Sequence, residues 1–421
     1  MSRHTDRESL RRTLWRLVAV ILAIGAALYT ASIISVATDP EYRSPNGNVI
    51  GVDYSTFHAG ATMLRYGDPR ELYDVDAMTE LLREVRRGPA GLQPTFVNPP
   101  AFALVLAPLA SLRYEVGLVV WTVLGVAAFG FGLRAIGAQR PGVLLVGTIL
   151  SVAGFLGVSL GQGQFFWGAV YAGILSQLSA GKQVRAGILA SILVLKPQLL
   201  VPFVLWWLVD WRRNRVALGT SVLGAAVLSI IPAILYPGSY TGYGALLQAA
   251  NDTFPLDSIP MGVTFRDTVD ALTGGSTVVS GSIVFVGVGL FGAILIGGVR
   301  ARWDSDLMFI VATTMGLLVL PHVLAYDWVL LVPAGVLLAQ KIPPRSVLIP
   351  AALVAVLYSL LFQVVFGVGS FARFGRSIQF APVVLVTTLF FAVRRLQGLR
   401  RATDTSQGPA ADVVDHREVA G

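Results

Sequence analysis

The chain has 421 residues, 54% of them hydrophobic and only 13% charged, with a mean hydropathy of +0.69. A soluble domain carries about 25% charged residues, so a water-soluble fold is set aside in favour of an all-α, polytopic integral membrane protein. The net charge of +8 does not point to nucleic acid, because Lys and Arg fall in short groups between apolar runs and are not massed on one face.

Five arginines, Arg3, Arg7, Arg11, Arg12 and Arg16, precede a charge-free run from Leu17 to Thr38. A signal peptide also starts basic, but its apolar core spans about 7–15 residues. This run is longer, so it is expected to remain as the first span with its start in the cytoplasm. Residues 39–96 follow as a polar outer loop with nine acidic and six basic side chains. Val75, Met78, Leu81, Leu82 and Val85 recur at helical spacing and predict an amphipathic helix over 75–85. Asp53, just before YSTFHAGATMLRY, is placed to cap another. Both helices are expected on the membrane surface.

Asn98-Pro99-Pro100 opens an apolar stretch to Leu112 that is short for a crossing and reads as a docked or re-entrant helix. Spans are expected at about 115–133, 143–160, 164–180, 215–236, 280–299, 306–321, 326–340, 346–366 and 378–393. Segment 186–209 is long enough for one span, but Lys196-Pro197 lies near its middle. Proline breaks a helix, and an isolated lysine in hydrocarbon is costly. Two half-helices meeting at Lys196 relieve both problems, because a broken helix is tolerated where it lines a cavity.

The basic residues test that arrangement. With the break, 21 of the 32 Lys and Arg lie inside and 10 outside, leaving Lys196 itself. Most of the outer ones sit in the long first loop, where charge has little influence on orientation. An unbroken 186–209 would instead place Lys182 and Arg185 outside. About twelve membrane segments result, with both termini inside, a second large outer loop at 237–279, one domain over 1–403, and a polar 404–421 tail read as disordered.

On this topology the unusual polar residues gather at the outer face although they come from distant parts of the chain. Asp53 opens the first loop, Gln162 and Gln164 follow the 143–160 span, Lys196 marks the break, and His322 and Asp327 flank a later turn. Each also has an ordinary reading. Asp53 and Asp327 suit helix caps, the glutamines suit helix ends, Lys196 can snorkel, and His322 can be an interfacial histidine. Trp121, Trp206, Trp207 and Trp328 read as interface anchors.

Together the group matches sugar transfer from a polyprenyl phosphate. An attacking acceptor hydroxyl needs a general base, which Asp53 or His322 supplies. The departing phosphate needs charge stabilisation, which Lys196 beside a helix terminus supplies. The chemistry calls for no cofactor. It also calls for no metal, and the chain offers little to hold one. Cysteine is absent, and the four histidines include no His-x-x-x-His pair. The first loop has no Asp-x-Asp free of a helix, since Asp74-Val-Asp76 falls in the amphipathic segment, where Asp74 suits a cap.

Five stretches carry a resemblance: GVDYSTFHAGATMLRYGDPRELYD at 51–74, NPPAFALVLAPLASL at 98–112, GQGQFFWGAVYAGIL at 161–175, AGILASILVLKPQLLVPFVL at 186–205 and PHVLAYDWVLLVPA at 321–334. In this order the chain resembles the GT-C glycosyltransferases of family 87, which include polyprenyl-phosphate-mannose-dependent α-mannosyltransferases and an arabinofuranosyltransferase. The resemblance implies a GT-C fold, Asp53 and His322 as catalytic residues, and Lys196 at the half-helix break. Asn98 stands where such proteins often carry an aromatic residue before the proline pair. It joins Gln162, Gln164 and Asp327 in the candidate substrate-binding set. The implied partners are a polyprenyl-phosphate sugar donor, a glycolipid or glycan acceptor, and membrane lipid. The rival reading is a transporter or flippase of lipid-linked sugar. Transporters usually carry paired broken helices in both halves, whereas here one clear break is expected.

Overall fold

The computed structural model describes residues 2–38, 50–86, 96–253, 264–267, 277–320, 323–342, 349–357, 383–391, 393–394 and 397. These residues are helical, with no strand among them. In chain order the helices are α1 (Ser2–Thr38), α2 (Val52–Tyr66), α3 (Val75–Arg86), α4 (Pro100–Leu106), α5 (Tyr114–Ala135), α6 (Pro141–Leu150), α7 (Val152–Leu160) and α8 (Gln164–Ser179). There follow α9 (Gln183–Ser191), α10 (Val201–Val209), α11 (Trp211–Leu235), α12 (Tyr243–Thr253), α13 (Thr277–Arg300), α14 (Ser305–Val319) and α15 (Leu331–Lys341). The 404–421 tail and His322 lie outside the described residues, as does the whole stretch from 358 to 382.

Among the described residues four helices are long and apolar enough to cross a bilayer: Glu8–Ser35 within α1, α5, α11, and Gly281–Arg300 within α13. Their outward side chains are large and apolar, with Phe285 80%, Ile234 69% and Phe131 67% exposed. Water would not tolerate apolar surface on that scale, and lipid does. The chain is a membrane protein whose described residues form helices and no strand.

The expected single span at 143–160 is instead two helices, α6 and α7, meeting at 68° around Ser151. The Ser151 hydroxyl donates to Thr148 O at 2.6 Å and accepts from Gly154 N at 3.1 Å, which caps α7. A Cβ at Gly154 would collide with Thr148 O, so only glycine lets the chain turn this tightly. The break expected at Lys196 is present. Two short 3-10 turns, Ile192–Leu195 and Pro197–Leu199, stand on either side of it.

Two other expectations change. Helix α2 does not lie on a membrane surface. Every residue from Tyr54 to Ala61 is buried, because α3, α4, α5 and α7 surround it. Trp121, Trp206, Trp207 and Trp328 are not interface anchors either. All four are buried, and Phe203 beside Trp207 packs on Tyr171 and Phe309 at 4.9 and 5.9 Å between ring centres. The aromatic rings fill the helix core, and the indole of Trp121 donates to Gly161 O at 3.1 Å.

Helix α9, which leads to the break, packs along α11. The approach is close because Gly187 has no side chain: a Cβ there would collide with Thr220 Oγ1 and Ala217 O. Small residues perform this role between membrane helices. Overpacking a tight contact costs about 1–3 kcal/mol, so Gly187→Leu should lower the thermal midpoint of the detergent-solubilised protein. An unchanged midpoint would mean that α9 and α11 do not depend on this contact.

Candidate active site

Asp53 stands in the first turn of α2, yet it does not cap that helix. The N-cap is Gly51, held at φ 73°, and no side chain caps the helix end. The carboxylate is thereby free for a tertiary contact, and its Oδ2 accepts a 2.7 Å hydrogen bond from Gln162 Nε2. Burial drives the Asp53 carboxyl up to about 6, while the Gln162 bond and the nearby Lys196 charge pull the other way.

The meeting of Asp53 and Gln162 rests on two glycines with left-handed backbones. Gly51 N donates to Ser159 O at 2.7 Å, and Tyr114 Oη donates to Gly51 O at 2.8 Å. Gly161, at φ 74°, ends α7. A Cβ on Gly161 would press against Tyr54 Cβ and lie 3.3 Å from Gly51 Cα. The start of α2 and the end of α7 are therefore in backbone contact, and Asp53, two residues after Gly51, meets Gln162, the residue after Gly161.

Lys196 occupies the junction between the two 3-10 turns, with φ −138° and ψ 75°. Its Nζ lies 2.6 Å from Asp327 Oδ1, in a pair whose side chains are 11% and 1% exposed. The Tyr326 ring packs 5.1 Å from the same ammonium. Asp327 Oδ2 accepts from Leu324 N at 3.2 Å, so this carboxylate caps its own short helix, Ala325–Leu330, as well as pairing with the lysine. Breaking such a buried pair by removing one partner costs about 3–5 kcal/mol.

The remaining candidates are placed differently. Gln164 is fully buried in the first turn of α8, and neither its amide nitrogen nor its amide oxygen has a hydrogen-bond partner. It packs over Gly157, where any Cβ would strike the amide. Asn98 is half-buried and its backbone carbonyl accepts from Tyr73 Oη at 2.7 Å. His58, which is not among the candidates, has Nε2 3.2 Å from Leu112 O. Burial pushes that imidazole down, against the bonds to Leu112 and Leu109. It fastens α2 to the loop after α4.

Sequence reasoning missed Tyr326, Tyr114 and the contact between Gly51 and Gly161. Tyr326 adjoins Asp327, but a tyrosine beside an aspartate is unremarkable in a sequence. The glycine pair gives no signal until the fold brings it together. Among the described residues no three His, Asp or Glu side chains gather as metal ligands.

The model for glycosyltransferase family 87 matches residues 96–332, more than half of the chain. The chain belongs to glycosyltransferase family 87. No curated protein and no solved structure matches it. The family match takes in Asn98, Gln162, Gln164, Lys196, His322 and Asp327 but begins after α2, so Asp53 lies outside it. Family membership makes this a membrane glycosyltransferase, acting on a sugar donor and an acceptor.

Gly161→Ala tests the glycine contact. It adds a clash with Tyr54 and forces a side chain into a left-handed conformation, together costing about 1–3 kcal/mol. The thermal midpoint should fall, and transferase activity should fall with it as Gln162 moves from Asp53. A midpoint equal to that of the parent protein would show that the two helix ends tolerate separation.

Proposed function

We propose that the chain moves a sugar, with mannose as the expected one, from a polyprenyl-phosphate donor to a hydroxyl of a lipid- or glycan-linked acceptor. The reaction is placed at the outer face of a bacterial inner membrane, in a GT-C fold of about twelve membrane segments with both termini inside. The observation that supports the reading is a carboxylate, Asp53, bonded to Gln162 within electrostatic reach of Lys196, a lysine that pairs with Asp327 at the break between two 3-10 turns.

In the proposed step the acceptor oxygen attacks the anomeric carbon and its proton passes to an Asp53 oxygen. The bond from that carbon to the phosphate oxygen breaks, and the electron pair leaves with the polyprenyl phosphate. Lys196 stabilises the charge gathering there. One displacement inverts the anomeric centre, so a β-linked donor gives an α-linked product. Gln162 orients Asp53 through its hydrogen bond. Asn98 and Gln164 are proposed as contacts to sugar hydroxyls, with the unpartnered Gln164 amide offering both a donor and an acceptor. His322 is proposed as the second base or a phosphate contact.

The test uses the purified protein in lipid nanodiscs with labelled polyprenyl-phosphate mannose and an acceptor extract. Asp53→Asn should lower transfer by about 10²–10⁴-fold while donor binding persists. Undiminished turnover would move the base to His322. Because Asp53 must be ionised to act, kcat/KM should rise with pH through about 6 and level off above it. Gln162→Leu removes a bond that favours the carboxylate, so the midpoint should move to higher pH. A midpoint that stayed in place, or moved down, would separate Asp53 from the rate profile.

Lys196→Met should weaken donor binding and leave acceptor binding alone. Equal donor affinity in that variant would return the lysine to a structural role.

A further inference from the structure

The pairing of Lys196 has a second side, which rests on the reading of that lysine as the phosphate partner. Asp327 is the deeper member of the pair, with its side chain 1% exposed against 11% for Lys196. Both of its oxygens are engaged, Oδ1 by Lys196 Nζ at 2.6 Å and Oδ2 by Leu324 N at 3.2 Å. With both oxygens already engaged, this carboxylate has no free acceptor position to aim at a substrate. It does fix where the ammonium stands.

We propose that Asp327 is a positioning residue for donor capture, holding the Lys196 ammonium in place and acting on the donor only through that lysine. An ammonium in apolar surroundings without a counter-charge is costly to hold, so the carboxylate that pairs with it fixes where it stands. An ammonium has three donor positions. One is directed to Asp327, and the Tyr326 ring lies 5.1 Å from the nitrogen. The remaining hydrogen-bonding capacity can serve an anionic oxygen.

The arrangement also separates two carboxylates by task. Asp53 is engaged by Gln162 at 2.7 Å and feels Lys196 only through space. Asp327 takes the direct contact with the lysine. With Asp327 holding the lysine, the direct contact of Asp53 remains the one with Gln162.

The experiment measures binding and turnover of short-chain polyprenyl-phosphate mannose by the full chain in nanodiscs, across Lys196→Met, Asp327→Asn, Asp327→Glu and the double variant Lys196→Met/Asp327→Asn. Asp327→Asn should raise the donor Kd by about tenfold or more, with the acceptor KM unchanged. The double variant should match Lys196→Met alone, because Asp327 has no other path to the donor. Asp327→Glu keeps the charge and the fold but shifts the ammonium. It should raise the donor KM by about threefold with kcat preserved, a split that a purely structural pair would not produce.

Donor affinity untouched by Asp327→Asn, in protein that melts cooperatively, overturns the inference. So does a double variant much weaker than Lys196→Met. If Asp327→Asn does not fold, the Glu variant decides, and an unchanged donor KM counts against the proposal. Failure of Lys196→Met to weaken donor binding is a different result, since it removes the phosphate role of the lysine on which both readings rest.

Discussion

A positive charge held among apolar helices constrains everything around it. Lys196 sits where a straight span would otherwise run, and an uncompensated ammonium there would cost several kcal/mol. Three features of the chain answer that cost. Pro197 ends the helix, so the backbone opens into two short 3-10 turns at the lysine. Asp327 arrives from 131 residues later to neutralise it. Tyr326 lays an aromatic face beside it. The break between α9 and α10, and the placing of Asp327 against it, are both consistent with keeping this one charge in place.

A second constraint is steric. Asp53 and Gln162 meet because glycines at 51 and 161 permit left-handed backbones and a near approach of two helix ends. The hydrogen bond is the visible contact, but the absence of two side chains allows it. The 68° turn at Ser151 sends α7 toward α2, and without it Gly161 would point elsewhere. A polar cluster is thus assembled from interruptions: a proline, a serine corner and two glycines, each at a point where regular helix would have closed the space.

The membrane class and the long spans were legible in the sequence because they depend on local quantities. Charge-free runs, the basic flanks of Leu17–Thr38 and the Lys196-Pro197 break can each be read within twenty residues. The amphipathic spacing of Val75, Met78 and Leu82 likewise marked α3. Less legible was anything decided by partners. The same apolar run reads as a span whether it is straight or bent, so the corner at Ser151 was hidden. Asp53 looked like a cap because the residues before it were judged alone, whereas Gly51 takes the helix start and leaves the carboxylate to Gln162. The four buried tryptophans looked like interface anchors because composition does not tell which side of a helix faces lipid. Only three-dimensional neighbours could place them in the core.

The long sequence separation within the Lys196–Asp327 pair bears on how the protein is made. Ribosomes add about 5–20 residues per second, so the lysine enters the membrane on the order of ten seconds before its counter-ion has been synthesised. Over that interval α9 and α10 cannot settle as they do in the finished molecule. Their shared lysine must stay beside water, headgroups or the insertion machinery until residues beyond 327 emerge. Closing the bundle around this charge is consequently a late event in biogenesis, governed by the arrival of the C-terminal half and not by the hydrophobicity of the segment that carries the lysine.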